Sequence, residues 1–221
     1  MLFGTSKRLS LVNGRQLNIK VDGTCINCTT SYKYLGVALD PSLNFESHFS
    51  TVYKKAAGRV NLLHRIRSSI DSATAEKIYR AMIMPVFTYC GSIVLGWSNS
   101  RVNQIRKIEQ RSRNIIKSKA NPSTELRIPT IECAIKKKVC AFVFDCLQDN
   151  VCDPFKNYFE RKEHGQNTRN NNVAVKVPRM KTEFGRKSFC VTAANVYNKL
   201  PIVARQLDSR VLFRTHVNDF I

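Results

Sequence analysis

The stretch Tyr32-Lys33-Tyr34-Leu35-Gly36-Val37-Ala38-Leu39-Asp40-Pro41-Ser42-Leu43-Asn44-Phe45 marks the point where the chain changes period. Tyr32 to Leu39 is a β-rich run that stops at Asp40-Pro41. From Phe45 onward, Phe49, Val52, Ala56, Val60 and Leu63 follow at three- and four-residue intervals, which puts them on one helical face. Upstream, Leu17, Ile19 and Val21 alternate with polar residues before Asp22-Gly23, a dipeptide suited to a type I′ turn. This predicts a β-hairpin that returns through residues 24–28.

Downstream, the second helical pattern starts at Ser72 and passes through Ile78, Met82 and Val86. Asp71 or Ser72 is suited to cap it, and Pro85 is expected to kink or end it. A third begins after residues 98–100 and turns Val102, Ile105, Ile108, Ser112, Ile115 and Ile116 inward until Asn121-Pro122-Ser123 breaks it. Ile131, Ile135, Phe142 and Cys146 outline a fourth helix. Residues 164–172 read as a polar loop, Val173, Val175 and Val177 as a short edge strand, and the segments around Lys187–Leu200 and Ser209–Ile221 as helices split by Pro201. The fold class expected is α+β, mainly α, with a small antiparallel sheet followed by a helical bundle and a helical C-terminal region. Its four parts are 1–45, 46–120, 121–163 and 164–221.

The chain carries 36 Lys and Arg against 16 Asp and Glu, a formal charge of +20 that solubility does not require. The excess is uneven. Residues 46–120 hold 14 basic and 4 acidic side chains and 164–221 hold 10 and 3, whereas 121–163 balance at 7 and 7. A polyanion is the partner this pattern suggests, held by phosphate contacts that do not read sequence. Lys54, Lys55, Arg59, Arg65 and Arg67 on the first helix, and Arg106, Arg111, Arg113 and Lys117 on the third, are the candidate contacts; a solvated helix face is the bland alternative. Arg179, Lys181, Arg186 and Lys187 form a lesser basic group.

The eight cysteines are expected to be reduced thiols of an intracellular protein, nuclear or cytoplasmic and not secreted, and no run is apolar enough to span a bilayer. Cys25-x-x-Cys28 has no second close Cys or His pair, so no metal site is expected. No two acidic residues are adjacent. No Ser-His-Asp or Cys-His pattern and no complete phosphate-binding loop stands out, and no catalytic residue is assigned.

With these residues in view, the chain resembles the C-terminal part of a non-LTR (LINE-type) retrotransposon reverse transcriptase. The resemblance rests on Tyr32 to Asp40 with Leu43, Phe45 and His48, then on Tyr79, Ile83, Pro85, Tyr89 and Cys90, then on Ile105 to Ile116. Val177-Pro178-Arg179, Lys181-Thr182, Gly185 to Phe189, Ala193-Ala194 and Asn195 to Pro201 complete it in order. It implies the end of a palm, a thumb of three helices over 46–120 and a C-terminal region, and Met1-Leu2-Phe3-Gly4 is similar to the strand past the catalytic turn. It also implies that Tyr34, Leu35 and Gly36 form a primer-grip-like turn. The family's intact enzyme uses Mg, held by an Asp-Asp turn and a further aspartate that this sequence does not offer. A chain of this kind is expected to bind an RNA–DNA or DNA duplex and the missing N-terminal polymerase portion, with no cofactor and no membrane. The alternative is a product of a decayed element with no activity of its own.

Overall fold

The hydrophobic core runs as one continuous cluster from Phe49 on the first long helix to Val217 near the C-terminus. A computed structural model describes residues 1–12, 19–118, 128–162 and 173–221. Leu17, the Asn121-Pro122-Ser123 break and the polar loop at 164–172 lie outside the described residues.

The described chain is mainly helical with antiparallel pairing, as expected, and its strands form two small two-stranded sheets. After a short helix α1 (Ser6–Val12), strands β1 (Lys20–Val21) and β2 (Thr24–Cys25) pair around Asp22-Gly23, whose φ angles of 48° and 77° bear out the tight turn. The single sheet expected from the sequence is two separate hairpins. Tyr32 to Leu39 is itself folded back, β3 (Tyr32–Tyr34) on β4 (Val37–Leu39), because Leu35 and Gly36 both take positive φ and reverse the chain.

The entry to helix α2 (Glu46–Ile66) is organised by one carboxylate. Asp40 accepts hydrogen bonds from the backbone N–H of Ser42 (3.1 Å), Asn44 (3.1 Å) and Phe45 (2.7 Å), and from the Ser42 hydroxyl (2.6 Å). Partial burial works to raise the pKa of Asp40, but these bonds to the charged form outweigh it and hold the pKa below the ordinary value. Leu43 and Phe45 are thereby held in the left-handed region. Phe49, Ala56, Val60 and Leu63 are buried on the face their spacing predicted.

Helix α3 (Ser72–Ile78) is capped by Asp71, which accepts from Thr74 N–H at 2.9 Å. It continues through a π-turn (Tyr79–Ile83) into α4 (Met84–Thr88). Pro85 was expected to kink or end this helix. The structure absorbs the ring by widening the turn before it, where the carbonyl four residues back would otherwise clash, and the helix ends at Thr88. After a 3₁₀ segment (Gly91–Gly96), α5 (Asn99–Lys117) packs on α2 and buries Ile105, Ile108, Ser112, Ile115 and Ile116. Gly91 permits that 3₁₀ segment to touch the next helix: a Cβ there would lie 2.7 Å from Ile135 Cγ1.

Helix α6 (Ile131–Leu147) is capped by Thr130, which accepts from Cys133 N–H at 3.0 Å, and Glu109 of α5 accepts from the Ile131 N–H. Cys140 and Cys146 are buried in it, whereas Cys152 beyond its end is exposed. Desolvation pushes the Cys140 thiol up to about 12, which leaves it inert. Three short or medium helices follow: α7 (Glu183–Arg186), α8 (Phe189–Asn198) and α9 (Ile202–Arg205), then α10 (Arg210–Phe220). Phe144 of α6 stacks on Phe213 of α10 at 4.3 Å, which joins the C-terminal helix to the core.

The edge strand expected at Val173–Val177 is reduced to one bridge, Arg161 to Val175. Asn198 occupies the place of a neighbouring strand: its Oδ1 accepts from Val175 N–H and its Nδ2 donates to Val175 O, both at 2.8 Å. Ala174 is buried beside Val175, so the alternation in the sequence is not an alternation of burial.

Arg67, read from the sequence as a phosphate contact, is only 4 % exposed. Its guanidinium donates to Ile115 O (2.9 Å), Ile116 O (2.9 Å), Ile70 O (2.6 Å) and the Ser72 hydroxyl (2.7 Å). It closes the C-terminal carbonyls of α5 and joins them to the start of α3. Replacing it by Met removes this donor from the buried carbonyls of Ile115 and Ile116, which among the described residues keep only the Ser118 and Ser72 hydroxyls, and from the part-buried carbonyl of Ile70. Arg67→Met is therefore expected to lower unfolding stability by about 2–4 kcal/mol, read as a shift in urea midpoint; a loss under about 0.5 kcal/mol would contradict this role.

Candidate nucleic-acid interface

The basic residues predicted from the sequence do not form one surface. On α2, Lys55 and Arg59 are four residues apart and share a face, whereas Lys54 and Arg65 ride on the side away from the core with Gly58 and Asn61. On α5, Arg106 pairs with Glu132 at 3.1 Å, and Arg113 is half-buried with its Nε unpartnered. Arg113 lies near Glu109 and Tyr79, whose phenol burial drives strongly upward in pKa. Arg111 and Lys117 are exposed. Arg67 is part of the core and leaves the set.

Lys55 and Arg59 instead meet the second hairpin. With Lys33 of β3 they line a groove of about 530 Å³, together with Gly36 and Ala38 of the hairpin, His48 and Thr51 of α2, and Pro85, Val86 and Tyr89 at α4. The β3–β4 register places Lys33 opposite Ala38, and both line the groove. Among the described residues, no acidic side chain lines it. Arg59 is half-buried and fixed by a hydrogen bond to the carbonyl of Met82, at the end of the π-turn. Lys33 and Lys55 carry exposed ammonium groups with no such anchor among the described contacts.

The hairpin tip forms the rim. The Tyr89 hydroxyl donates to Leu35 O at 2.5 Å, and a Cβ on Gly36, whose φ is 84°, would meet the Tyr89 ring at 3.4 Å. Tyr32, Tyr34, Leu35 and Tyr89 are all more than half exposed. The tip therefore presents backbone and aromatic faces outward while its base is tied to α4. Lys33 and Tyr89 were not singled out as site residues. Lys33 was legible, because an alternating strand puts it on the face opposite Tyr32 and Tyr34; Tyr89 had appeared only as one landmark among several.

The Cys25-x-x-Cys28 pair is exposed, and among the described residues no three His, Cys, Asp or Glu side chains come together as metal ligands. None of the described helices is long and apolar enough to cross a membrane.

Over 153 residues, 68 % of the chain, the sequence is 24 % identical to the RNA-directed DNA polymerase from mobile element jockey of Drosophila funebris. The chain is similar to a mobile-element reverse transcriptase. The matched stretch spans 16 % of that polymerase, so the chain corresponds to a small part of its length. No protein-family profile matches the chain. Nor does a solved structure.

His48 is buried at the groove wall, and desolvation lowers its pKa below the ordinary 6.5. Above that value His48 is neutral in both folded and unfolded chain. Below it the unfolded chain takes up the proton first, so stability is lost as pH falls from 6.5 towards the folded pKa. His48→Asn is expected to flatten the fall in melting temperature between pH 7 and pH 5; an unchanged slope would show that other groups set it.

Proposed function

We propose that the chain is a thumb-like portion of a non-LTR retrotransposon reverse transcriptase, which grips a template–primer duplex by its backbone and carries no polymerase centre of its own. The observation that supports this best is the groove: three cations, no carboxylate in its lining, and a tyrosine-rimmed hairpin tip at its mouth. Lys33 and Lys55 have the freedom to follow phosphates, and Arg59 gives a charge fixed in position. The tip at Tyr34, Leu35 and Gly36 supplies close backbone approach at a strand end, with Tyr89 setting its angle. None of these groups reads a base edge, so the binding is indifferent to sequence.

The exposed Lys54, Arg65, Lys107, Arg111 and Lys117 add long-range attraction and enlarge the footprint. Polymerisation needs clustered hard oxygen ligands for two Mg ions, and the acidic residues of this sequence are scattered singly. The proposed role is therefore holding, with the chemistry supplied by another part of a polymerase.

A second reading, a product of a decayed element that acts only by protein contact, draws on the N-terminal ribbon. Leu2, Phe3, Leu11, Ile19, Val21 and Ile26 are exposed on a segment that buries none of its described side chains before Val37.

A fluorescence-anisotropy titration of an RNA–DNA hybrid separates the two. Duplex gripping is expected to give saturable binding that weakens steeply between 50 and 200 mM salt, and Lys33→Ala/Lys55→Ala/Arg59→Ala should reduce the log–log salt slope by roughly 2–3. Aggregation without saturation would favour the second reading. Binding with an unaltered slope in the triple variant would remove the groove from the interface. Primer extension with Mg is expected to stay at background.

A further inference from the structure

A second concavity shares no lining residue with the groove. It lies where the turn before α2, the segment leading into α5 and the start of α8 converge, and its volume is about 580 Å³, within the roughly 300–1,000 Å³ of small-ligand sites. Phe45, Trp97, Phe184 and Phe189 supply aromatic walls, and Arg101 and Lys187 supply positive charge; no acidic residue lines it.

We propose that this pocket binds one unstacked nucleotide, with the base among the aromatic side chains and the phosphate at Lys187 and the first turn of α8.

The pocket combines the two kinds of group that such a ligand requires. The aromatic wall beside Arg101 is preorganised. Arg101 donates to Asn44 O at 2.5 Å, pairs with Glu46 and lies 5.6 Å over the Phe49 ring, and Phe49 meets Trp97 edge-on at 5.0 Å. Phe184 is mostly exposed at the rim, which leaves its face open for stacking. Trp97 is 9 % exposed and lines the pocket with the part of its ring that reaches the surface.

The basic wall suits an anion. Ser188 occupies the N-cap of the ten-residue helix α8 but its hydroxyl caps no backbone N–H of the first turn and lies instead 3.1 Å from Cys190 Sγ. The first-turn N–H groups and the positive helix end are left for another acceptor. Lys187 immediately precedes that cap. Its pairing with Glu183 at 3.3 Å joins two side chains that are each more than half exposed, a contact weak enough to exchange for a phosphate. A flat aromatic group joined to an anion satisfies both kinds of group, whereas a lipid chain or a bare anion satisfies one. The formal charge of +20 favours an anionic ligand over a basic peptide.

The chain has a single tryptophan, Trp97, so its emission reports on this wall directly. Titrating the whole protein with AMP, adenosine, inorganic phosphate, a phosphotyrosine peptide and the oligonucleotide dT4 tests the proposal. Saturable change is expected with AMP or dT4, at least tenfold tighter than with adenosine or phosphate. Phe184→Ala and Lys187→Ala, both at exposed positions, should each weaken it about fivefold or more with circular dichroism and melting unchanged. Lys55→Ala/Arg59→Ala in the groove should leave it intact, which keeps this site independent of the duplex-gripping role. A response to dT4 alone would assign the nucleotide to a strand, and an equal response to AMP would admit the free nucleotide; either supports the site. No saturable change with any nucleotide, equal binding of phosphate or of the phosphotyrosine peptide, or loss of the signal in the groove variant would overturn it.

Discussion

The junction of α2, α3 and α5 depends on the buried guanidinium of Arg67. Burying a cation is unfavourable unless its donors are met, and here four contacts meet them, with carbonyls at the negative end of α5 supplying two. The geometry is reciprocal. The last turn of α5 needs donors for its open carbonyls, and the end of α2 needs a reason to stop and turn into α3. One planar side chain with fixed donor directions satisfies both, which a lysine, with a single rotating ammonium, cannot do. A hydrophobic residue at the same place would fill the space and leave the helix end open.

A second polar contact extends this frame. Glu109 of α5 holds the backbone N–H of Ile131, so the beginning of α6 is referred to α5 even though the intervening chain is long. Desolvation raises the carboxyl pKa of Glu109, and the hydrogen bond from Ile131 together with Arg113 works in the opposite direction. From α6 the aromatic contacts take over, through Phe144 and Phe213 and through Phe142 and Phe189, and bring the C-terminal helices into the same core. The groove and the aromatic pocket are then shaped at the margins of this frame, where the N-terminal hairpin and α8 meet it.

What could be read from the sequence was what depends on local period. The buried faces of α2, α5 and α6 follow from three- and four-residue spacing, and the Asp22-Gly23 turn follows from residues that tolerate positive φ. The turn at Leu35-Gly36 was harder, because a leucine at positive φ carries no turn signature of its own and is held there by contacts from Tyr89, 54 residues away. The strand expected at Val173–Val177 failed for a related reason: its partner is a side-chain amide, which no alternation pattern can announce. For the candidate site, charge counting singled out α2, whose Lys55 and Arg59 line the groove. It could not separate them from Arg67, since a basic residue at a helix end looks the same whether it faces solvent or a neighbouring helix's carbonyls.

Asn198 carries a consequence beyond its two hydrogen bonds. A strand edge with free N–H and C=O groups is a template on which another chain can add, and proteins suppress it in several ways. Here the amide of Asn198 occupies both groups of Val175, so the C-terminal half presents no growth point at that residue. The N-terminal ribbons have no equivalent plug among the described contacts, and they expose apolar side chains as well. Any tendency of this chain to polymerise through its backbone would therefore be directional, starting from the N-terminal end and finding the Val175 edge already closed.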